Sequence, residues 1–386
     1  MSAFEGKLSP LVEQLAPSGI RRFFDLASQM DDVISLGVGE PDFVTPWHVR
    51  EACFYALERG YTTYTANAGL PALRDAIAQY LETFDLSYDP KDEVLVTVGG
   101  SEAIDLALRA VVQPGDEVLI PEPAYVSYEP CAILAGATVK KIATRAMDQF
   151  RLTEAALRDA LTPRSKVLIL CAPNNPTGAI LDRAALAQIA SVAIAHDLLV
   201  ISDEIYAELT YGVRHVSVAS LPGMKERTIV ISGMSKAYAM TGWRIGYATA
   251  PRDVLAAMVK IHQYTMLCAP IMGQMAALEA LKNGERERQA MVEQYDQRRR
   301  FVVKRLREIG LACHEPQGAF YAFPDIRASG LSSEAFAERL LKAERVAVVP
   351  GAVFGPSGEG FVRCSYATSL AQLERAFERM DRFLNS

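Results

Sequence analysis

Short runs of valine, isoleucine and leucine recur through the middle of the chain, and each gives way abruptly to small or polar residues. Val94–Val98, Val118–Ile120, Lys166–Leu170, Leu198–Ser202 and Thr228–Ile231 are apolar runs of strand length. Stretches with helical spacing, such as Ala103–Val112 and Arg183–His196, separate them. Near-continuous apolar strands alternating with helices predict an α/β fold whose mainly parallel sheet is covered on both faces. Ile245–Thr249 reads as a further strand. It follows the preceding run too closely for a crossover helix, so it is expected to run antiparallel.

The flanks read differently. An amphipathic helix is expected over Ser18–Gln29, then a Gly-rich turn at Gly37–Asp42, helices near Pro46–Glu58 and Pro71–Phe84, and a polar, aromatic loop from Tyr61 to Gly69 between them. After Pro251 a long helical region runs to Ile309, punctuated by Asn283-Gly284. Its Glu285–Arg300 part is heavily charged and reads as a solvated helix crossing between domains. Short strands and helices beyond it fit a smaller α+β domain. The expected division is a large domain at 48–285 and a small one built from 1–47 with 286–386.

Composition narrows the function classes. The 386 residues are 50% hydrophobic and 22% charged, with a net charge of −6 from interspersed acids and bases, so no basic stripe points to nucleic acid or an anionic membrane. Six scattered cysteines without a C-x-x-C read as free thiols of a reducing compartment, and five scattered histidines offer no metal-ligand spacing. The first residues show no leader pattern, and no apolar run approaches the roughly eighteen residues of a membrane span. A cytoplasmic protein without a metal is the expectation.

The chemistry collects where the strands end. In open α/β sheets ligands bind beyond the carboxyl ends of the strands. There the sequence places Gly100-Ser101-Glu102 at a helix start, suited to an anion; Tyr125, able to stack on a planar ring; Asn175 in the turn Ala172–Gly178; Asp203 with Tyr206; and Lys236, with Arg244 eight positions on. Taken singly, each has an ordinary structural explanation: an N-cap, core packing, an Asn-Pro turn, a loop lysine. Together they supply an anion pocket, a stacking ring, an amide, a phenol, a carboxylate, an amine and a guanidinium. A Schiff-base lysine with an acid for a pyridinium nitrogen is the requirement of pyridoxal phosphate.

With Gly39-Glu40-Pro41-Asp42-Phe43, Asn174–Gly178, Ser202–Tyr206, Ser235–Gly246 and Val362–Tyr366 in this order, nearly the whole chain resembles the fold type I pyridoxal-phosphate enzymes of aminotransferase class I/II. It is similar to the branch holding bacterial aspartate aminotransferases and N-acetyl-diaminopimelate-type enzymes. The resemblance implies a seven-stranded-type sheet in the large domain and a ping-pong transfer of an amino group from an L-amino acid to a 2-oxo acid. It implies that Lys236 holds the cofactor and shuttles the Cα proton, and that Asp203 pairs with the ring nitrogen. Tyr206 and Asn175 would bond the ring oxygen, and Tyr125 would stack on the ring. Gly100, Ser101, Glu102, Ser235 and Arg244 would hold the phosphate, the first three mainly through backbone N–H groups at the helix start. Tyr64 would reach the phosphate of a neighbouring subunit in a homodimer, and Arg363, with Gly39 and Asn175, would clamp the substrate carboxylate.

Two positions depart from that pattern. Gly233 stands where many relatives carry a phosphate-binding serine, and Ser101 where some aspartate enzymes carry a lysine for the distal carboxylate. Arg21 or Arg22 could supply that cation instead. A lyase or decarboxylase on the same scaffold, or a ligand-binding regulator, are the alternative functions.

Overall fold

The apolar runs pair with one another into one large sheet. The computed structural model describes residues 6–17, 19, 20, 28 and 30–386. The helix expected over Ser18–Gln29, with Arg21 and Arg22, falls almost wholly outside them. The strands are β1 (Ile34–Ser35), β2 (Val94–Thr97), β3 (Glu117–Glu122), β4 (Thr138–Ala143), β5 (Ser165–Cys171), β6 (Leu199–Asp203), β7 (Thr228–Gly233), β8 (Gly246–Thr249), β9 (Tyr321–Ala322), β10 (Val346–Ala347), β11 (Val349–Pro350) and β12 (Val362–Ser365). Seven of them form one sheet in the order β2-β8-β7-β6-β5-β3-β4.

Every pairing in that sheet is parallel except those of β8, which runs antiparallel to β2 and β7. Only the one-turn helix Met234–Ala237 and a single turn at Thr241–Trp243 separate β7 from β8, too little chain for a crossover. Alternate side chains leave the sheet on opposite faces. Leu95, Ile169, Ile201, Ile229 and Ile231 pack under helices Gly99–Val111 and Arg252–Thr265. Val94, Val96 and Val230 pack on the other side with helices Pro71–Glu82 and Ile271–Asn283. Each such buried side chain contributes about 1.5–3 kcal/mol, so the double cover is what holds the strands level.

The edge strand β4 has no counterpart in the apolar pattern. Only Ile142 of it is buried, and it carries Lys140 and Lys141, charges that guard an open sheet edge.

A second core gathers Phe320, Tyr321, Phe336 and Phe377 with Ile34, Leu36 and Val346. β1 lies parallel to β10, with Ile34 opposite Val346. β11, β12 and β9 form an antiparallel sheet. The charged helix Glu285–Glu308 differs from its expectation of a solvated rod. Met291, Tyr295, Val302 and Leu306 form a buried stripe along it, and Arg298 and Arg299 are buried as well. Arg298 bonds Asp42 at 2.7 Å and Arg299 bonds Glu315 at 2.8 Å, so the arginines reach carboxylates while their stems cover the core. Among the described residues no helix is long and apolar enough to cross a membrane.

Candidate active site

Parallel strands put their carboxyl ends on one edge, and adjacent registers bring Cys171, Asp203 and Ile231 side by side there. A cavity of about 420 Å³ opens at this edge. Gly39, Gly100, Ser101, Tyr125, Asn175, Asp203, Tyr206, Ser235, Lys236, Arg244 and Arg363 all line it. Glu102 and Tyr64 do not. A wider groove of about 1030 Å³ elsewhere is lined by Arg151, Arg299 and His314. It lacks the strand-end groups, and its Arg151 and Arg299 are already paired with Asp182 and Glu315.

Lys236 enters from the helical turn after β7. Its Nζ donates to the Gly39 carbonyl oxygen at 2.6 Å. Burial is the main force that lowers its pKa to about 8, the positive charges of Arg363 and Arg244 act in the same sense, and Glu40 and Asp203 oppose them. A depressed pKa keeps part of the amine neutral at physiological pH, and only the neutral amine is a nucleophile. Below about pH 8 its neutral fraction falls about tenfold per unit. The cofactor-free chain is therefore expected to take up pyridoxal phosphate at Nζ at a rate that rises with pH and levels above about 8. Stopped-flow absorbance at several pH values reads this; a flat profile from about pH 6 to 9 would contradict the half-buried, shifted amine.

Asp203 ends β6 and is buried. Tyr128 donates to its Oδ2 at 2.6 Å and the Ile205 N–H to its Oδ1 at 3.2 Å. Burial raises its pKa, and these two donors pull it back. Neither donor is a cation. A buried carboxylate facing a cavity without a cationic contact is suited to a protonated ring nitrogen. Behind it, Glu204 is satisfied by Ser202, Ser217 and His215 at 2.7–2.8 Å, a separate buried network that does not enter the cavity.

Arg363 on β12 is almost fully buried. Its Nη1 donates to Asn175 Oδ1 at 2.9 Å and its Nη2 to the Gly37 carbonyl at 2.7 Å. The turn that presents Asn175 is braced by Asn174, whose Oδ1 accepts from the Thr177 hydroxyl at 2.8 Å. The Tyr206 and Tyr321 hydroxyls lie 2.8 Å apart, and burial holds both phenols protonated.

At the other end of the cavity the helix Gly99–Val111 starts at Gly99, φ +77°, where a Cβ would fall on the Arg244 guanidinium. Arg244 Nη1 donates to the Thr241 carbonyl at 2.8 Å. The Glu102 side chain turns away from the cavity. It accepts from the Val98 N–H at 2.5 Å and lies 2.6 Å from His262 Nδ1. It is thereby a brace for the helix start rather than a lining group. Gly233 has a reason of its own: a Cβ there would meet Gly246 Cα at 2.8 Å and the Ile245 carbonyl at 2.9 Å, so β7 and β8 leave no room for a side chain. Gly246 in turn admits no Cβ against Gly99 and Gly100. Tyr64 is 81% exposed. Tyr128 and Tyr321 were not singled out by their sequence positions, and Gly37 only as part of the Gly-rich turn; Tyr128 opens its helix three residues after Tyr125, which is the only local hint of it.

The cavity and sheet define a pyridoxal-phosphate type of site, and comparison places it. Residues 31–380 match the family described as aminotransferase class I and II, and the chain belongs to that family. It is 47% identical to an aspartate aminotransferase of Pyrococcus abyssi, over 98% of both chains. The solved aromatic aminotransferase from Pyrococcus horikoshii superposes with a TM-score of 0.90 at 47% identity, covering 95% of this chain and 98% of the other. An aspartate aminotransferase from Thermus thermophilus with maleate gives a TM-score of 0.93 at 39% identity, covering 97% and 99%. The protein is a pyridoxal-phosphate-dependent aminotransferase acting on amino acids and 2-oxo acids.

Proposed function

We propose that the transfer runs through Lys236, which takes the cofactor at Nζ and, once displaced by an L-amino acid, carries the Cα proton. The observation that carries this reading is the half-buried amine with a pKa near 8, in one cavity with the buried carboxylate of Asp203, whose direct hydrogen-bond donors among the described residues are the neutral Tyr128 hydroxyl and the Ile205 N–H. When bound, the cofactor supplies an aldehyde for the amine and a ring that accepts the electron pair left at Cα. Asp203 holds a proton at the ring nitrogen. Asn175 and Tyr206 donate to the ring oxygen, and Tyr125 covers a ring face. The Gly100 and Ser101 N–H groups, Ser235 and Arg244 hold the phosphate at the helix start. Arg363 presents its fork to the substrate carboxylate beside Gly39 and Asn175. The division into domains 48–285 and 1–47 with 286–386 belongs to the same reading, supported by the β1–β10 pairing and the second core.

Given an amino acid alone, the cofactor-loaded chain is expected to release one 2-oxo acid per site, lose its visible absorption and stop. Continuous release of oxo acid with ammonia would assign it instead to the lyases. Two chains form the active unit in this reading, with Tyr64 of each contacting the phosphate held by the other. Exposed Tyr64 borders Asn67, which bonds the Leu267 carbonyl at 2.7 Å, and Tyr264, Met266 and Leu267 are exposed beside it. Trp47, Phe54 and Tyr55 add exposed apolar area of the kind a partner covers. The Tyr64→Ala variant is expected to remain a two-chain particle in sedimentation and to bind pyridoxal phosphate about tenfold more weakly, the worth of one hydrogen bond to a charged group. A monomeric parent, or unchanged affinity, rejects the shared site. The six free thiols support a cytoplasmic location, which fractionation of the producing cell would check.

A further inference from the structure

Tyr321 sits where the two halves of the proposed site meet. It is fully buried yet lines the cavity. It lies on β9, paired with Ser365 of β12, two residues from Arg363. Its ring face lies under the Arg363 guanidinium, 4.4 Å from Cζ to the ring centroid, and its hydroxyl is 2.8 Å from that of Tyr206. Tyr206 follows β6 on the other core's sheet, so this bond ties the β9–β12 side of the cavity to the β6 side.

We propose that Tyr321 is a positioning residue: its hydroxyl fixes the direction in which Tyr206 donates, and its ring carries Arg363, so one side chain sets both the ring-oxygen donor and the carboxylate clamp.

The proton count forces the first half. Each phenol has one proton. If Tyr206 gives its proton to the ring oxygen, as in the function proposed above on which this inference rests, the proton between the two phenols must belong to Tyr321. The bond to Tyr206 is the only hydrogen bond of the Tyr321 hydroxyl among the described residues. Tyr321 then donates and Tyr206 accepts while donating onward, and such chained bonds strengthen one another. Gly39 leaves this end of the ring uncovered, since a Cβ there would lie 3.1 Å from the Tyr321 hydroxyl. The second half follows from Arg363. Asn175 and Gly37 fix the two ends of its fork, its Nε is buried without a hydrogen-bond partner among the described residues, and of the two rings near the cation the Tyr321 face is the nearer, at 4.4 Å against 5.0 Å for Phe354.

Two substitutions separate the halves. Tyr321→Phe keeps the ring and removes the hydroxyl. In the cofactor-loaded chain without substrate, the pH midpoint of the visible absorption is expected to rise by about 0.5 unit, because a weakened Tyr206 donor stabilises the ionised ring oxygen less. KM for both substrates should stay within about twofold. Tyr321→Leu removes the ring as well, and KM should rise about tenfold for amino and oxo acid alike. Tyr206→Phe is the control for the underlying reading: if it leaves the midpoint where it was, the ring-oxygen role of Tyr206 fails, whatever Tyr321 does. If Tyr206→Phe shifts the midpoint and Tyr321→Phe does not, the positioning role is overturned. The double variant decides whether Tyr321 acts through Tyr206. A midpoint equal to that of Tyr206→Phe alone supports the proposal, and additive shifts refute it.

Discussion

Replacing Lys236 with alanine is expected to lower turnover by at least about 10⁴-fold, since in the proposed mechanism the chain would lose both its attachment point and its proton carrier in one step. The structure gives the loss no substitute. The other cations lining the cavity among the described residues are guanidiniums, Arg244 and Arg363, and they do not deprotonate. The fold is expected to survive. A lysine whose folded-state pKa lies below its unfolded value destabilises the fold. That penalty is full below about pH 8 and fades as pH rises towards the ordinary lysine value of 10.5. The cofactor-free Lys236→Ala chain should therefore melt no lower than the cofactor-free parent at neutral pH. Thermal unfolding read beside an activity assay tests both statements. Retained turnover would remove Lys236 from the centre of the mechanism, and a lower melting temperature would mean that the amine holds the fold rather than straining it.

The second large effect belongs to Arg363. One donor of each Nη is engaged, by Asn175 and by Gly37, and its cation lies 4.4 and 5.0 Å from the centroids of the Tyr321 and Phe354 rings. A guanidinium so fixed has lost its freedom before substrate arrives, which is the condition for a strong bidentate contact to a carboxylate. Arg363→Ala should lower kcat/KM about a hundredfold to a thousandfold for the amino acid and the oxo acid together, mainly through KM. Arg363→Lys keeps the charge but not the fork, and should recover only a small part. Steady-state kinetics on both substrates gives the answer. An unchanged KM for both would move the carboxylate site elsewhere.

The large sheet was legible because its central strands are buried on both faces and read as unbroken apolar runs. The edge strand β4 was not, since an exposed edge selects for charge and its pattern resembles a loop. The polar groups at the strand ends could be gathered from sequence, because one topological rule puts those ends on one edge. Side-chain direction could not. Glu102 directs its side chain to His262 and the Val98 N–H, which leaves its backbone for the role expected at the helix start. Tyr128 and Tyr321 reach the site from a short helix and a two-residue strand, and beyond the nearness of Tyr128 to Tyr125 nothing in their immediate sequence marks them. The charged helix Glu285–Glu308 misled for a related reason. Its arginines satisfy carboxylates at the rim while an aromatic and aliphatic stripe is buried, and mean polarity along a helix averages the two faces away.

Gly233 lies against Gly246, and Gly246 against Gly99 and Gly100, so closely that a Cβ at 233 or 246 would meet backbone. Sequence change there has to travel as a set. In a library randomised at 233 and 246 and selected for activity, the survivors should be linked combinations, and a residue tolerated at one position should depend on what stands at the other. A serine introduced at 233 alone, to restore the hydroxyl of other relatives, would have to displace β8, and with it the backbone that fixes where the helix at Gly99 begins.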